Sequence, residues 1–196
     1  MALLQPLPAS CSVALKEWAV VIQALADGRQ VLLVRKGGLV EPSEGFTFQS
    51  KEFLFYPTFE HQAVAFVLPG YQSLFPTLAA ERRAGWLRVA YAGRVEAVVE
   101  TRDGEALKRL KDLHIYTDGL LMQRMRWQPD QPLVIGCVRV FRLREPLELP
   151  MQDAYSGCKS WVQLAETVSL KEAEPVLSDA AFEQRRAAFS RGLKSA

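Results

Sequence analysis

Residues Leu15 to Gly38 read LKEWAVVIQALADGRQVLLVRKGG, and residues Glu52 to Gln62 read EFLFYPTFEHQ. Whether the first of these opens as helix or strand decides the fold. Leu15, Trp18, Ile22 and Leu25 recur at helical spacing, Ser12 stands where a cap would, and Gly28 suits a left-handed closure. The spacing predicts a helix from Ser12 onward. The alternative is a strand over Trp18 to Leu25 in a hairpin turning at Asp27-Gly28. VLLVR, Val31 to Arg35, is a short branched apolar run and reads as a strand buried on both faces. Arg35, Lys36, Gly37 and Gly38 leave it as a basic glycine turn. Such a turn either faces an anion or is a plain polar hairpin turn.

Working outward, FTFQSKEFLFYP (Phe46 to Pro57) alternates as one or two strands, with Pro57 as the stop. Glu60, His61 and Gln62 follow at the strand exit, where functional side chains are often placed. A lone histidine there is ordinarily a surface or structural residue. Val64 to Ala84 reads as a variable connection, with LAAERRAG as a helical turn or two ending at Gly85. Trp86 to Thr101 reads as a hairpin turning at Gly93. Asp103 caps a helix reaching Leu113.

Thr117 or Asp118 starts a second short helix carrying Leu121, Met122 and Met125 inward, with Arg124, Arg126 and Trp127 near its end. A guanidinium pair beside an indole suits a phosphate next to a stacked base, and equally suits an arginine fixing a corner of the fold. PLVIGCVRVFRL (Pro132 to Leu143) is the longest strand candidate, and REPLELP leaves it as an extended edge. YSGCKSWVQL is a turn followed by a strand or helix. Within it Lys159, beside Cys158 and Trp161, joins the candidate phosphate-binding set, and Cys158 itself reads as a half-buried structural thiol. Asp179 opens a final amphipathic helix with Phe182 and Phe189 inward.

The totals are those of an ordinary globular protein: 196 residues, 49% hydrophobic, 23% charged. A net charge of +2 is too small to indicate nucleic acid by bulk electrostatics, so only local clusters carry that case. Three cysteines, Cys11, Cys137 and Cys158, disfavour a disulfide framework and point to a reducing cytoplasm. MALLQPLPASC lacks a basic n-region and is broken by prolines, and no apolar run approaches the roughly 20 residues a bilayer span requires.

Catalytic templates fail one by one. There is no serine elbow, no cysteine motif and no phosphate-binding loop. Pro129-Asp130 matches the first half of a nuclease metal signature, but VIGCVRVFRLRE supplies no Glu-x-Lys. His61 and His114 lack the short spacing that marks a metal site, so no cofactor is expected and a divalent metal stays open.

ALKEWAVVIQAL with GRQVLLVRKGG, FLFYPTFEHQ, HIYT with the later RWQP, and PLVIGCVRVFRL followed by YSGCKSWVQL and PVLSD cover most of Ala14 to Asp179. Together they resemble the bacterial family called domain of unknown function 1802. That resemblance implies an association with restriction-modification, through a nuclease-like domain that accompanies some members. This chain carries no such segment, and the resemblance transfers no catalytic residue.

The expectation is an α+β fold with a mixed, largely antiparallel sheet, open or curled into a small barrel, with flanking helices. Residues 1–11 are expected as a flexible arm and 12–196 as a single domain. The leading function is a cytoplasmic nucleic-acid-associated module. In it Arg35, Lys36, Arg124, Arg126 and Lys159 hold phosphates while Trp127 and His61 meet a base. The alternatives are an enzyme on a nucleotide or other phosphorylated small molecule, with Glu60 or His61 as general base, and a protein-interaction scaffold of unknown partner.

Overall fold

The computed structural model describes residues 6–36 and 45–194, and the strands among them join one mixed sheet. In chain order the elements are β1 (Ser10–Trp18), α1 (Ala19–Ala26), β2 (Leu32–Arg35), β3 (Glu52–Thr58), α2 (Leu74–Glu81), β4 (Trp86–Thr101), α3 (Gly104–Arg109), α4 (Asp118–Arg126), β5 (Leu133–Pro150), β6 (Trp161–Ser169), β7 (Glu174–Pro175) and α5 (Asp179–Leu193). The seven strands run in the order β2-β5-β4-β3-β1-β6, with β7 also on β5. Only β1 and β3 pair in parallel. The fold is therefore α+β with an open sheet, and the closed-barrel alternative is set aside.

The helix expected from Ser12 begins seven residues later. Ser10 to Trp18 is strand, and Trp18 (φ −57°, ψ 134°) is the last extended residue before α1. Leu15 and Ile22 fall at helical spacing only because each faces the same core from a different element. Pairing on both sides, to β3 and to β6, outweighs the local pattern. The hairpin alternative fails too, although Gly28 closes α1 at φ +66° as its position suggested. Gly37 and Gly38 lie outside the described residues.

Period-two alternation covers the sheet on both faces. Leu15, Phe53 and Phe55 join the core under α1, α3, α4 and α5, whereas Ala14, Leu54 and Tyr56 join a second core with Leu87, Leu149, Tyr155 and Val162. Trp86 to Thr101 is one strand of 16 residues, so the expected turn at Gly93 is absent. Gly93 instead admits close packing: a Cβ there would stand 2.7 Å from the Phe53 ring. REPLELP likewise continues β5 to Pro150. Pro57 lies within β3, one residue before its end.

The caps are as expected in kind. Asp103 accepts from the Glu105 amide and Thr117 from the Leu120 amide. Ser178, one residue before Asp179, caps α5, which buries Phe182 and Phe189. In α4 the inward residues are Leu120 and Leu121, whereas Met122 is exposed.

Candidate functional site

Parallel pairing of β1 with β3 sets Trp18 beside Thr58, so both strands deliver their carboxyl ends to one place. The sheet curls until its two edges approach. Arg35, at the end of edge strand β2, donates to Ser160 Oγ (2.8 Å), just before the opposite edge strand β6. It also donates to the Lys16 carbonyl (3.2 Å) and to Glu17 (3.0 Å). Among the described residues no ladder closes the sheet, but this guanidinium clasps it. Its plane lies 5.0 Å from the Phe46 ring, which stacks on Trp161.

Glu17 is buried, with its other oxygen accepting from the Trp18 amide (2.8 Å). A buried carboxylate needs a fixed counter-charge, and Arg35 supplies it. Arg35 is thus a structural cation that also faces the site.

Above this clasp lies a hollow of about 540 Å³ lined by Trp18, Arg35, Lys36, His61, Arg124, Arg126 and Trp127, among others. It runs into a smaller one of about 200 Å³ that shares Trp18, Arg35, His61 and Arg124 and adds Lys16, Glu60 and Lys159. Every phosphate-site and catalytic candidate read from the sequence lines one or the other. Their states differ. Arg124 is half-buried, donates to the Val34 carbonyl and lies over the rings of Trp18 (5.3 Å) and Tyr116 (5.2 Å). Lys36 donates to the Met125 carbonyl (3.1 Å), and burial, then the nearby Arg102, holds its ammonium below the ordinary lysine value. Lys159 donates to the Ala154 carbonyl.

Arg126 and Trp127 are exposed; the Trp127 amide donates to the Gln123 carbonyl (3.0 Å), and among the described residues neither side chain has a hydrogen-bond or ionic partner. They close α4, where cations offset the helix dipole. His61 is exposed and held at φ 60°, a backbone region that side chains other than those of Asn, Asp and His seldom adopt. Glu60 is likewise exposed, its amide donating to Thr58 Oγ1 (3.3 Å).

Carbonyl oxygens hold several of these cations in place without cancelling their charge. Among the described residues two carboxylates line the hollow, Glu17 and Glu60, and of these only Glu17 is in an ion pair, with Arg35. The hollow is therefore a positive concavity with indole faces at its wall. Among the described residues no three His, Cys, Asp or Glu side chains gather as a metal ion would require.

Sequence reasoning missed Lys16 and Trp18, which flank buried Glu17 on β1; a strand reading of KEW would have placed that pair together. It also missed a third cavity, about 230 Å³, that joins the hollow at Lys16, Thr58, Glu60 and Gly157 and extends to Tyr56, Trp86 and Tyr155. Burial holds the Lys16 ammonium below its ordinary value, with Glu60 partly offsetting that and Lys159 adding to it; Lys16 donates to the Gly157 carbonyl (2.9 Å). Cys158, expected half-buried, is exposed on the hollow's rim.

A family model described as "Domain of unknown function (DUF1802)" matches residues 14–188. No curated protein matches the chain. Among solved structures, the crystal structure of a serine-to-alanine mutant of the ZmASCH protein from Zymomonas mobilis is similar. It shows 12% identity over 92% of this chain and 98% of that one, with a TM-score of 0.39, too distant a likeness to carry an argument. Neither match bears on restriction-modification. No described helix is long and apolar enough to cross a membrane.

Proposed function

We propose that this chain, which belongs to the DUF1802 family, is a cytoplasmic module that binds nucleic acid through the basic hollow. The observation that carries the reading is the meeting of Lys36, Arg124, Arg126 and Lys159 beside Trp18, Trp127 and His61, against Glu60 as the one lining carboxylate outside an ion pair among the described residues. Phosphates need clustered cations whose charge is not already cancelled, and bases need flat apolar faces. A half-buried lysine with a lowered pKa gains from an incoming anion, because the anion favours its charged form. Arg126 and Trp127, exposed and adjacent, are the first groups an arriving strand would meet.

The test is fluorescence anisotropy with labelled single-stranded and duplex oligonucleotides at low salt. Replacing Lys36, Arg126 and Lys159 together by alanine lowers affinity about tenfold or more and flattens the salt dependence, since each lost contact to a single strand removes about 0.7 from the slope. Arg35 stays in place, because its loss would disturb the fold. Absence of binding to either probe by the unaltered protein would end the reading.

A second reading is favoured by Glu60 and His61, exposed in the same hollow as the cations. They suit general-base work on a nucleotide or other phosphorylated small molecule held by the cationic wall. Turnover of such compounds, with and without Mg²⁺ or Mn²⁺, separates it from pure binding.

A further inference from the structure

The third cavity differs from the basic hollow in chemistry. Its lining carries the cations Lys16, Arg82, Arg83 and Arg88 but also the carboxylates Glu60, Glu81 and Glu148, so donors and acceptors are nearly matched. Arg83 is tied to Glu148 at 3.2 Å and lies 4.1 Å from the exposed Trp86 ring. Arg82 lies over Phe59 at 5.2 Å. Tyr56 and Tyr155 meet edge to face at 6.4 Å, and the Tyr155 hydroxyl accepts from the Ala165 amide. Such a wall repels no charge and attracts none strongly. It offers the exposed face of Trp86, with the buried Tyr56 and Tyr155 rings as a floor behind it, a guanidinium plane and hydrogen-bonding groups of both kinds, which is what the edge and face of a nucleobase require.

Size agrees. At about 230 Å³ the cavity falls below the roughly 300–1,000 Å³ of pockets for drug-sized ligands. One heterocycle suits it better than a larger molecule. Position agrees as well, since Lys16, Thr58, Glu60 and Gly157 line both this cavity and the basic hollow. The Lys16 ammonium lies 5.3 Å from the Tyr56 ring, at the doorway between the two.

We infer that the cavity bounded by Tyr56, Tyr155 and Trp86 receives one unpaired base of a single-stranded nucleic acid whose phosphates lie in the basic hollow. This rests on the nucleic-acid reading above and adds the kind of strand. A base paired within a duplex cannot leave its stack without losing pairing and stacking energy, so the cavity selects against duplex.

The experiment compares labelled single-stranded DNA and RNA oligonucleotides with duplexes of the same sequence, on the full chain and on two variants. Trp86→Ala removes an exposed stacking face, and Leu78→Trp places bulk at a half-buried lining position on α2. Circular dichroism melts check that each variant folds. The unaltered protein binds single strands at least about tenfold tighter than duplex, and each variant loses about tenfold for single strands while its duplex affinity and salt slope stay the same. Equal affinity for duplex and single strand, or variants that change nothing or weaken both probes alike, overturns the inference and leaves the basic hollow standing. Failure to bind any probe removes the functional reading itself, and the inference with it.

Discussion

Two pairs of arginines in this molecule look alike in sequence and differ in what surrounds them. Arg94 and Arg139 face each other across β4 and β5, both buried, both guanidiniums lying over the Phe141 ring at 5.6 and 5.5 Å. Each has its own carboxylate: Glu52 is 3.2 Å from Arg94, and Asp179 bonds Arg139. Arg35 and Arg124 also lie over aromatic rings, but among the described residues only Arg35 has a carboxylate partner. Arg124, Lys36 and Lys159 rest on main-chain carbonyls, which orient a cation and leave its charge outstanding. A cation's neighbours, more than its burial or its aromatic contacts, decide whether it serves the fold or remains open to an anion.

The largest effect is expected at Arg35, which belongs to both classes. Arg35→Ala strands the buried Glu17 carboxylate, and removing one partner of such a pair costs about 3–5 kcal/mol. Urea unfolding measures it. Exchanging both partners for uncharged residues, Glu17→Gln with Arg35→Met, recovers most of that loss, because no buried charge is then left alone. If Arg35→Ala kept full stability, the clasp between the sheet edges would be incidental, and Arg35 would join the ligand-facing group alone.

His114 is a buried titratable group with no paired carboxylate, and it sharpens the comparison through pH. Burial pushes its pKa down to about 4, only partly offset by Asp118 and Asp112, and its Nδ1 accepts from the Tyr116 amide (3.2 Å). The unfolded chain takes up this proton near its ordinary pKa of 6.5, whereas the folded chain resists until about pH 4. The stability contributed by neutral His114 is therefore full above the unfolded value and is lost as pH falls through that window, of order 3 kcal/mol in all. Unfolding at pH 7.5 and 4.5 reads it, and His114→Gln flattens that part of the profile. An unchanged slope in the variant would assign the loss to other groups.

What was legible in the sequence divides along the same line. Caps at Asp103 and Thr117 act within three residues, and the three-residue apolar core of β2 needs no partner to be recognised. Arg35, Lys36, Arg124, Arg126 and Trp127 stood out by charge and ring chemistry, which belong to single side chains. Strand β1 was hidden because its state is set by β3 and β6, which lie far along the chain. Gly93 resembled a turn because nothing local reveals the Phe53 ring packed against it. The cavity at Tyr56, Trp86 and Tyr155 was hidden for the same reason, since its walls come from β3, β4 and the segment before β6. The pairing of Glu17 with Arg35, and of Asp179 with Arg139, was equally out of reach.

The smallest expected effects make the cleanest separation, because the two classes then respond on different axes. Asp179 is mostly exposed and sits in the first turn of α5, whereas its partner Arg139 is buried, so Asp179→Asn removes that cation's carboxylate and a favourable dipole contact; the amide oxygen still accepts from the guanidinium, which holds the cost to about 1–2 kcal/mol, below that at Arg35. Nothing in the hollow changes, and the salt dependence of nucleic-acid binding stays as it was. Arg126→Ala does the reverse: an exposed side chain without a partner leaves stability within about 0.5 kcal/mol, while the salt slope for a single strand falls by about 0.7. The two variants are measured side by side, by urea unfolding and by anisotropy across a salt series. If Arg126→Ala lowered stability without touching the slope, the outstanding charge of the hollow would belong to the fold after all, and the distinction between the two arginine pairs would collapse.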